Sequence, residues 1–259
     1  VSPRGEGFSA RIAGPKAAEV EIDAVLLATG MQPFDPSGLE SLSYVQDARV
    51  MTTADLNAVL RSERLTEILP PGESPAVGFV QCVGSRNRES GRDYCSQVCC
   101  KTALRQAARI LHQVPGADVT IFNIDFQLIG KEFRSQAADL ERKVRVLQGV
   151  PGAILSGRQE NRVTVVREEF ESGARRALHF DMIVLANAVT PPESLKVLAN
   201  RLGVELDVDG FIRALEIQGG LVMTTQPGIY AAGCVSGPKD IPDSVSEGSG
   251  AAALALSHL

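Results

Sequence analysis

Tryptophan is absent from this 259-residue chain, and aromatic residues make up only 5% of it. That leaves little flat surface for stacking nucleic-acid bases, and a formal net charge of -5 supplies no basic field for phosphate backbones or anionic membranes. Long hydrophobic runs are missing too: AVLLA (24–28) and MIVLA (182–186) fall far short of the roughly 20 residues that cross a bilayer. The opening VSPRGEGFSARIAGPKAAEVEID lacks the apolar core of a signal peptide. Histidine is scarce and scattered: His112 in a helical stretch, His179 before a strand and His258 at the C-terminus read as solvated or packed side chains. Without a Ser-His-Asp spacing or a G-x-S-x-G, hydrolase chemistry has little support. Glu168, Glu169 and Glu171 lie among arginines and read as a solvated strand face and turn. These exclusions leave a soluble, cytoplasmic chain with no nucleic-acid partner and no membrane span. At 44% hydrophobic, it can bury the core of one large or two small domains.

What is present is a concentration of thiols. Four of the five cysteines, Cys82, Cys95, Cys99 and Cys100, fall within nineteen residues, in QCVGSRNRESGRDYCSQVCC. In a reducing compartment such clusters more often bind metal or do redox chemistry than form structural disulfides.

The surrounding pattern is that of an α/β protein with Rossmann-like parallel sheets. VEIDAVLLATG (20–30) and FDMIVLANAVTPPE (180–193) each read as a buried strand closing a dinucleotide-type unit. Between them, 75–84 predicts a buried strand, 100–114 an amphipathic helix, 118–124 a strand and 131–144 a helix. This order predicts a parallel sheet with helices on both faces. RVLQG, AILSG and NRVTVVREEF (161–170) add short strands, the last two paired antiparallel. The cysteines then occupy the first strand-to-helix turn, where a nicotinamide dinucleotide would need G-x-G-x-x-G, and that motif is absent. This argues against NAD(P)H binding by the second unit.

Near the C-terminus, TTQPGIYAAG (224–233) resembles the second flavin-binding motif of the two-dinucleotide-domain flavoprotein reductases, in which small residues and a helix N-terminus approach the isoalloxazine. Cys234 stands where most of that superfamily has an Asp that contacts the ribityl chain. AGC, GPKDIPDSV and QCVGSR-x7-YC-x3-CC together resemble the A subunit of heterodisulfide reductase and its relatives, over essentially the whole chain.

The resemblance implies FAD and a [4Fe-4S] cluster, with Cys82, Cys95, Cys99 and Cys100 as the cluster's ligands. It implies a flavin lined by Ala28, Thr29, Gly30, Gly233 and Cys234. Lys239, Asp240, Ile241, Pro242, Asp243, Ser244 and Val245 complete that lining. For Lys239, stabilisation of reduced anionic flavin and an ordinary surface turn lysine are both open. For Cys234, packing of a small side chain beside the flavin and redox chemistry are both open. The function implied is electron transfer between FAD and iron-sulfur centres, with B and C subunits and an electron-donating hydrogenase or dehydrogenase as partners.

The domains expected are a partial FAD-binding domain (1–70 and 190–259) and an inserted Rossmann-like domain (72–190). The flavin fold should begin with a strand and glycine-rich loop that grip the ADP half of FAD, and neither occurs here. The expectation is therefore a piece of a longer protein with weak or absent FAD. Three other readings remain open. Zinc usually shows paired C-x2-4-C knuckles, which only Cys95 to Cys99 approaches. A nicotinamide-dependent disulfide reductase would use Cys95 and Cys99, although their spacer is three residues rather than two. A cofactor-free docking scaffold would use the loop for neither.

Overall fold

The computed structural model describes residues 2–4, 7–14, 16–69, 74–128, 131–156, 162–215 and 222–257. His258, Asn161, Gly157 and the start of the 219–259 segment lie outside them. Along the chain come β1 (Ser2–Arg4), β2 (Gly7–Ile12), β3 (Ala18–Ile22), β4 (Val25–Leu27), β5 (Gln32–Pro33), β6 (Val50–Thr52), α1 (Thr53–Arg61), α2 (Leu65–Ile68), β7 (Ala76–Val83), α3 (Cys99–Gln113) and β8 (Asp118–Asn123). Then follow α4 (Lys131–Glu141), β9 (Arg145–Gln148), β10 (Ala153–Leu155), β11 (Val163–Glu168), β12 (Arg175–Phe180), β13 (Met182–Asn187), β14 (Val189–Thr190), α5 (Leu195–Leu202), β15 (Ile229–Ala231) and α6 (Ile241–Ser257). Two compact units result, Val1–Gln32 with Val189–Leu259, and Pro33–Ala188. No helix among the described residues is long and apolar enough to cross a membrane.

The Pro33–Ala188 unit is built on a five-stranded parallel sheet in the order β6-β13-β7-β8-β9. One face carries the helices: Leu56 and Leu60 of α1, Ala103, Leu104, Ala107 and Ile110 of α3 and Ala137 of α4 pack with Val77, Phe79, Val119 and Ile121. Among the described residues no α-helix packs on the other face. There Val80, Phe122, Ile183 and Leu185 pack against Ile154, Val163 and Val165 of a three-stranded antiparallel sheet, β10-β11-β12. Helices on both faces were expected. The steps β6 to β7 to β8 to β9 all run the same way across the sheet, and right-handed crossovers then place successive helices on one side. The opposite face falls to the meander through which the chain returns to β13. AILSG and NRVTVVREEF do pair antiparallel, as Ala153–Leu155 with Thr164–Val166.

Residues 33–69 pack in this unit, whereas the expected boundary near 70 placed them with the flavin-type unit. β6 pairs with β13, and Leu56 and Leu60 of α1 pack into the helix-side core. Thr52 caps α1 through a reciprocal pair of bonds with Asp55, one in each direction between side chain and backbone.

The other unit contains a small antiparallel sheet, β1-β2-β3, and a short parallel pair, β4 with β15. The single buried strand expected over 20–30 is in fact divided. Glu19 and Glu21 alternate with Val20 and Ile22 in the exposed hairpin strand β3, and only Val25–Leu27 continues as the parallel strand. Polar alternation is the mark of an antiparallel strand with a wet face, and the apolar run that follows is too short to override it. Leu27, Leu195, Ala199, Val204, Ile212 and Ile229 form the core, and α5 ends on left-handed Gly203.

Asp47, almost fully buried, accepts from Arg49 Nε at 2.8 Å, from Arg49 Nη2 at 2.7 Å and from Ser156 Oγ at 3.1 Å. These donors, with Arg49 foremost, lower its pKa from 3.8 to about 2. A depressed carboxylate pKa stabilises the fold above the unfolded value near 4, and that contribution is lost as pH falls through 2. We expect Asp47→Asn to remove about 2 kcal/mol at pH 7 and to flatten the fall of urea midpoints between pH 4 and pH 2.

Candidate functional site

β7 ends irregularly, and the irregularity falls on a cysteine. Val80 pairs with Leu185 and Val83 with Asn187, so β7 carries one more residue than β13 across the same span. That extra residue is a bulge containing Gln81 and Cys82, with Cys82 at φ +60°. A non-glycine residue in the left-handed region costs on the order of 1 kcal/mol, and bulges of this kind re-aim side chains beside functional sites. A tight turn follows, closed by Ser85 N to Cys82 O at 3.2 Å, with Gly84 at φ +84°. A Cβ on Gly84 would stand 2.4 Å from the Phe34 ring, and the Arg92 guanidinium lies 4.9 Å over that ring's centroid.

From Gly84 the loop rises and returns. Arg86 N donates to Tyr94 O and Asn87 bridges Arg92, while the Asn87 side chain accepts from Glu89 N and Ser90 N. Arg86 and Gln97 are two more non-glycine residues at positive φ. The loop then delivers Cys95 and enters α3, whose first residues are Cys99 and Cys100. Val98, the residue ahead of that helix, gives it no side-chain cap, and the helix start places partial positive charge at Cys99 and Cys100.

Cys82, Cys95, Cys99 and Cys100 lie close enough for their charges to act on one another, at the C-terminal end of the sheet, where open α/β sheets carry their sites. All four are free thiols, and Cys82, Cys99 and Cys100 are buried. Burial chiefly, then Cys100 and Cys95, pushes Cys82 up to about 11, against the opposing pull of Arg86. Cys99 and Cys100 share a hydrogen bond: Cys99 keeps its proton and is pushed up, while Cys100 is lowered to about 7 by that bond. The Arg86 guanidinium hydrogen-bonds Cys82 and is ion-paired to Asp125, which also accepts from Gln127 Nε2 at 3.1 Å. Cys99 and Cys100 pack on Ala186, Phe126 and Leu128. Among the described residues, no three Cys, His, Asp or Glu side chains are arranged to hold a single metal ion.

Three neighbours escaped sequence reasoning. Gln81 is fully buried and Ser85 nearly so, yet Gln81 Nε2, Gln81 Oε1 and Ser85 Oγ have no hydrogen-bond partner among the described residues. Each such group costs about 1 to 3 kcal/mol. Both lie inside QCVGSR, but only the fold reveals that they are buried. Asp125 is distant in sequence and carried no signal.

In the other unit, β4 and β15 run parallel, with Ala232 N donating to Leu27 O at 2.9 Å. Ala28–Thr29–Gly30 and Gly233–Cys234 thus leave adjacent strand ends together. Gly30 and Gly233 have φ of +74° and +76°, and no atom lies within 4 Å of a Cβ placed on Gly30. The expected lysine is turned inward. Lys239 Nζ donates to Gly233 O at 3.0 Å, Ser236 Oγ at 2.7 Å and Glu247 at 2.9 Å, with little exposure of either charged side chain. Glu247 also accepts from Gly233 N at 2.8 Å. Lys239 is a brace for the Gly233–Ser236 turn, its charge already matched by Glu247. Cys234 Sγ lies 3.5 Å from Lys239 O. Asp240 caps α6, accepting from Asp243 N at 3.2 Å through its side chain and from Ser244 N and Oγ through its carbonyl. Ile241 and Val245 point to solvent at 78% and 63% exposure, and Pro242 is exposed.

Two parallel strand ends with left-handed glycines, together with a unit built on a five-stranded parallel sheet, define the two-dinucleotide-domain flavoprotein reductase fold. Thioredoxin reductase from T. acidophilum superposes on 99% of this chain and 71% of its own, with a TM-score of 0.60 at 18% identity. In sequence, the chain is 32% identical over 248 residues to the A subunit of the H(2):CoB-CoM heterodisulfide,ferredoxin reductase of Methanothermobacter marburgensis, covering 93% of this chain and 38% of that protein. It is 33% identical over 245 residues to the iron-sulfur A subunit of the CoB--CoM heterodisulfide reductase of Methanocaldococcus jannaschii, covering 92% and 37%. The chain is thus a homologue of one segment of the heterodisulfide reductase A subunit, and it spans somewhat over a third of those relatives' length. No family model matches it.

Three substitutions test the two halves of this description. Gly84→Ala should cost on the order of 2 to 4 kcal/mol in denaturant unfolding, and Phe34→Leu in the same chain should restore only the steric part, because the positive φ remains. Glu247→Ala leaves the buried Lys239 ammonium without its counter-ion and the Gly233 N–H without its acceptor. It should lower stability by about 2 to 3 kcal/mol, with faster amide exchange at Gly233 in a hydrogen-exchange measurement.

Proposed function

We propose that this chain is an oxidoreductase segment that relays electrons between FAD and a [4Fe-4S] cluster within a heterodisulfide reductase-type assembly in the cytoplasm. The gathering of four thiols on the β7 to α3 connection carries the reading. That connection is where a dinucleotide-binding domain would cradle phosphates, and here cysteines and an arginine occupy it. The donor set is right for iron and sulfide: four soft ligands supplied by a strand end, a loop and a helix start. A tetrahedral zinc ion needs its donors around one point, whereas a cubane gives each thiolate its own iron. Four thiols at close quarters, three of them buried, resist ionising together, and bound metal is what compensates such charge.

Cys82, Cys95, Cys99 and Cys100 would hold the cluster. Arg86, steadied by Asp125, donates to Cys82 and places a positive charge beside it, and the uncapped start of α3 adds partial positive charge at Cys99 and Cys100. Ala28, Thr29, Gly30, Gly233 and Cys234, with the segment Lys239 to Val245, would line the flavin. In that lining Lys239 and Glu247 fix the Gly233–Ser236 turn, and Asp240 sets the start of α6. When bound, the flavin exchanges electrons singly or in pairs and the cluster one at a time.

The relatives' names carry hydrogen, ferredoxin and the CoB-CoM heterodisulfide. For this chain we propose the same class of assembly, with B- and C-type subunits and a hydrogenase- or dehydrogenase-type donor as partners.

Anaerobic purification with iron and acid-labile sulfide analysis tests the reading. About four irons per chain are expected, with dithionite-sensitive absorbance, both lost in Cys99→Ser. Stoichiometric zinc in iron-free protein would sink the cluster assignment.

A further inference from the structure

Around the cysteines the polypeptide leaves hydrogen-bonding capacity unused, and it does so selectively. Of the five buried side-chain nitrogen and oxygen atoms without a partner among the described residues, three belong to Gln81 and Ser85, which flank Cys82. Folded proteins leave few buried polar groups unpaired, so a cluster of them marks a missing partner. Gln81 directly precedes Cys82 in the bulge that ends β7. Ser85 closes the turn that Cys82 opens. Both therefore sit beside Cys82, and both carry donors: the amide N–H pair of Gln81 and the hydroxyl of Ser85.

We propose that Gln81 and Ser85 are positioning residues that donate hydrogen bonds to the sulfur atoms of the group bound by Cys82, and so set its reduction potential. The proposal rests on the cluster reading and goes beyond it, because neither residue is a ligand. Sulfides and thiolates are acceptors, which matches the unused donors. Reduction adds one negative charge to the group, and N–H and O–H donors directed at sulfur stabilise the more negative state. Arg86 acts in the same sense from the solvent side of Cys82, where it is already engaged with Asp125. Gln81 and Ser85 act from the buried side, where water does not weaken them.

The test uses the intact protein loaded anaerobically with iron and sulfide and titrated at controlled potentials, with reduced cluster read by electron paramagnetic resonance. Ser85→Ala and Gln81→Leu should keep the wild-type iron content and shift the midpoint to more negative values. Ser85→Thr keeps the hydroxyl and should stay near wild type. Pulsed resonance after exchange into deuterated buffer should show one exchangeable proton coupling fewer in Ser85→Ala. If Gln81→Leu does not fold, Ser85→Ala decides alone, since it removes a single oxygen. Iron-replete variants with wild-type midpoints and couplings would overturn the proposal and leave the cluster standing; they would mean that buried water satisfies these groups. Wild-type protein that takes up no iron overturns the cluster reading, and this proposal with it.

Discussion

β7 is hydrogen-bonded on both edges, to β13 and to β8, and Val77 to Val83 are buried on both faces. A strand confined in this way cannot slide or turn without disrupting two packed layers, so its C-terminal end is a fixed point. Everything chemical in this unit is measured from that point. The bulge at Cys82, the Gly84 turn against Phe34, the braced loop and the start of α3 all hang from it. Asn187, at the end of the neighbouring strand, strengthens the anchor: its side chain accepts from Thr53 Oγ1 and donates to Phe34 O. The ring that seats Gly84 and the first residue of α1 thus share a single amide. Rigid secondary structure positions a reactive loop better than the loop could position itself.

Much of this was legible in the sequence, for a physical reason. β7, α3 and β8 are contiguous, strongly patterned elements, and β7 pairs with β8 across the single helix between them, so periodicity placed them. The face occupied by the helices was not legible in the same way, because it depends on the strand order β6-β13-β7-β8-β9, which is set by a strand more than a hundred residues from β6. The division of 20–30 into β3 and β4 shows a different limit. There a short apolar run competes with the acidic alternation ahead of it, and the pairing of β3 with β2 decides the outcome.

The candidate sites divide similarly. Cysteines announce themselves by type and spacing, and glycines at strand ends by the turn they permit. Lys239 could be noticed but not oriented, since a lysine in a glycine- and proline-rich turn reads as solvent-facing until Glu247, eight residues on, is seen to meet it. Gln81 and Ser85 illustrate the opposite difficulty. Their residue types are ordinary, and their significance comes entirely from burial without a partner. Asp125 joins the site only because β8 lies beside β7 and ends at the same level.

Cys82, Arg86 and Gln97 each adopt a backbone shape that glycine would take at no steric cost. Glycine at these positions would relieve local strain, so the loop is held away from its own stability optimum by the chemistry it carries. Selection for thermal robustness alone would be expected to erode this loop first, exchanging thiol and guanidinium for glycine while the fold around it improved. Stabilised variants of this chain are therefore poor surrogates for its redox behaviour unless these three side chains are kept unchanged.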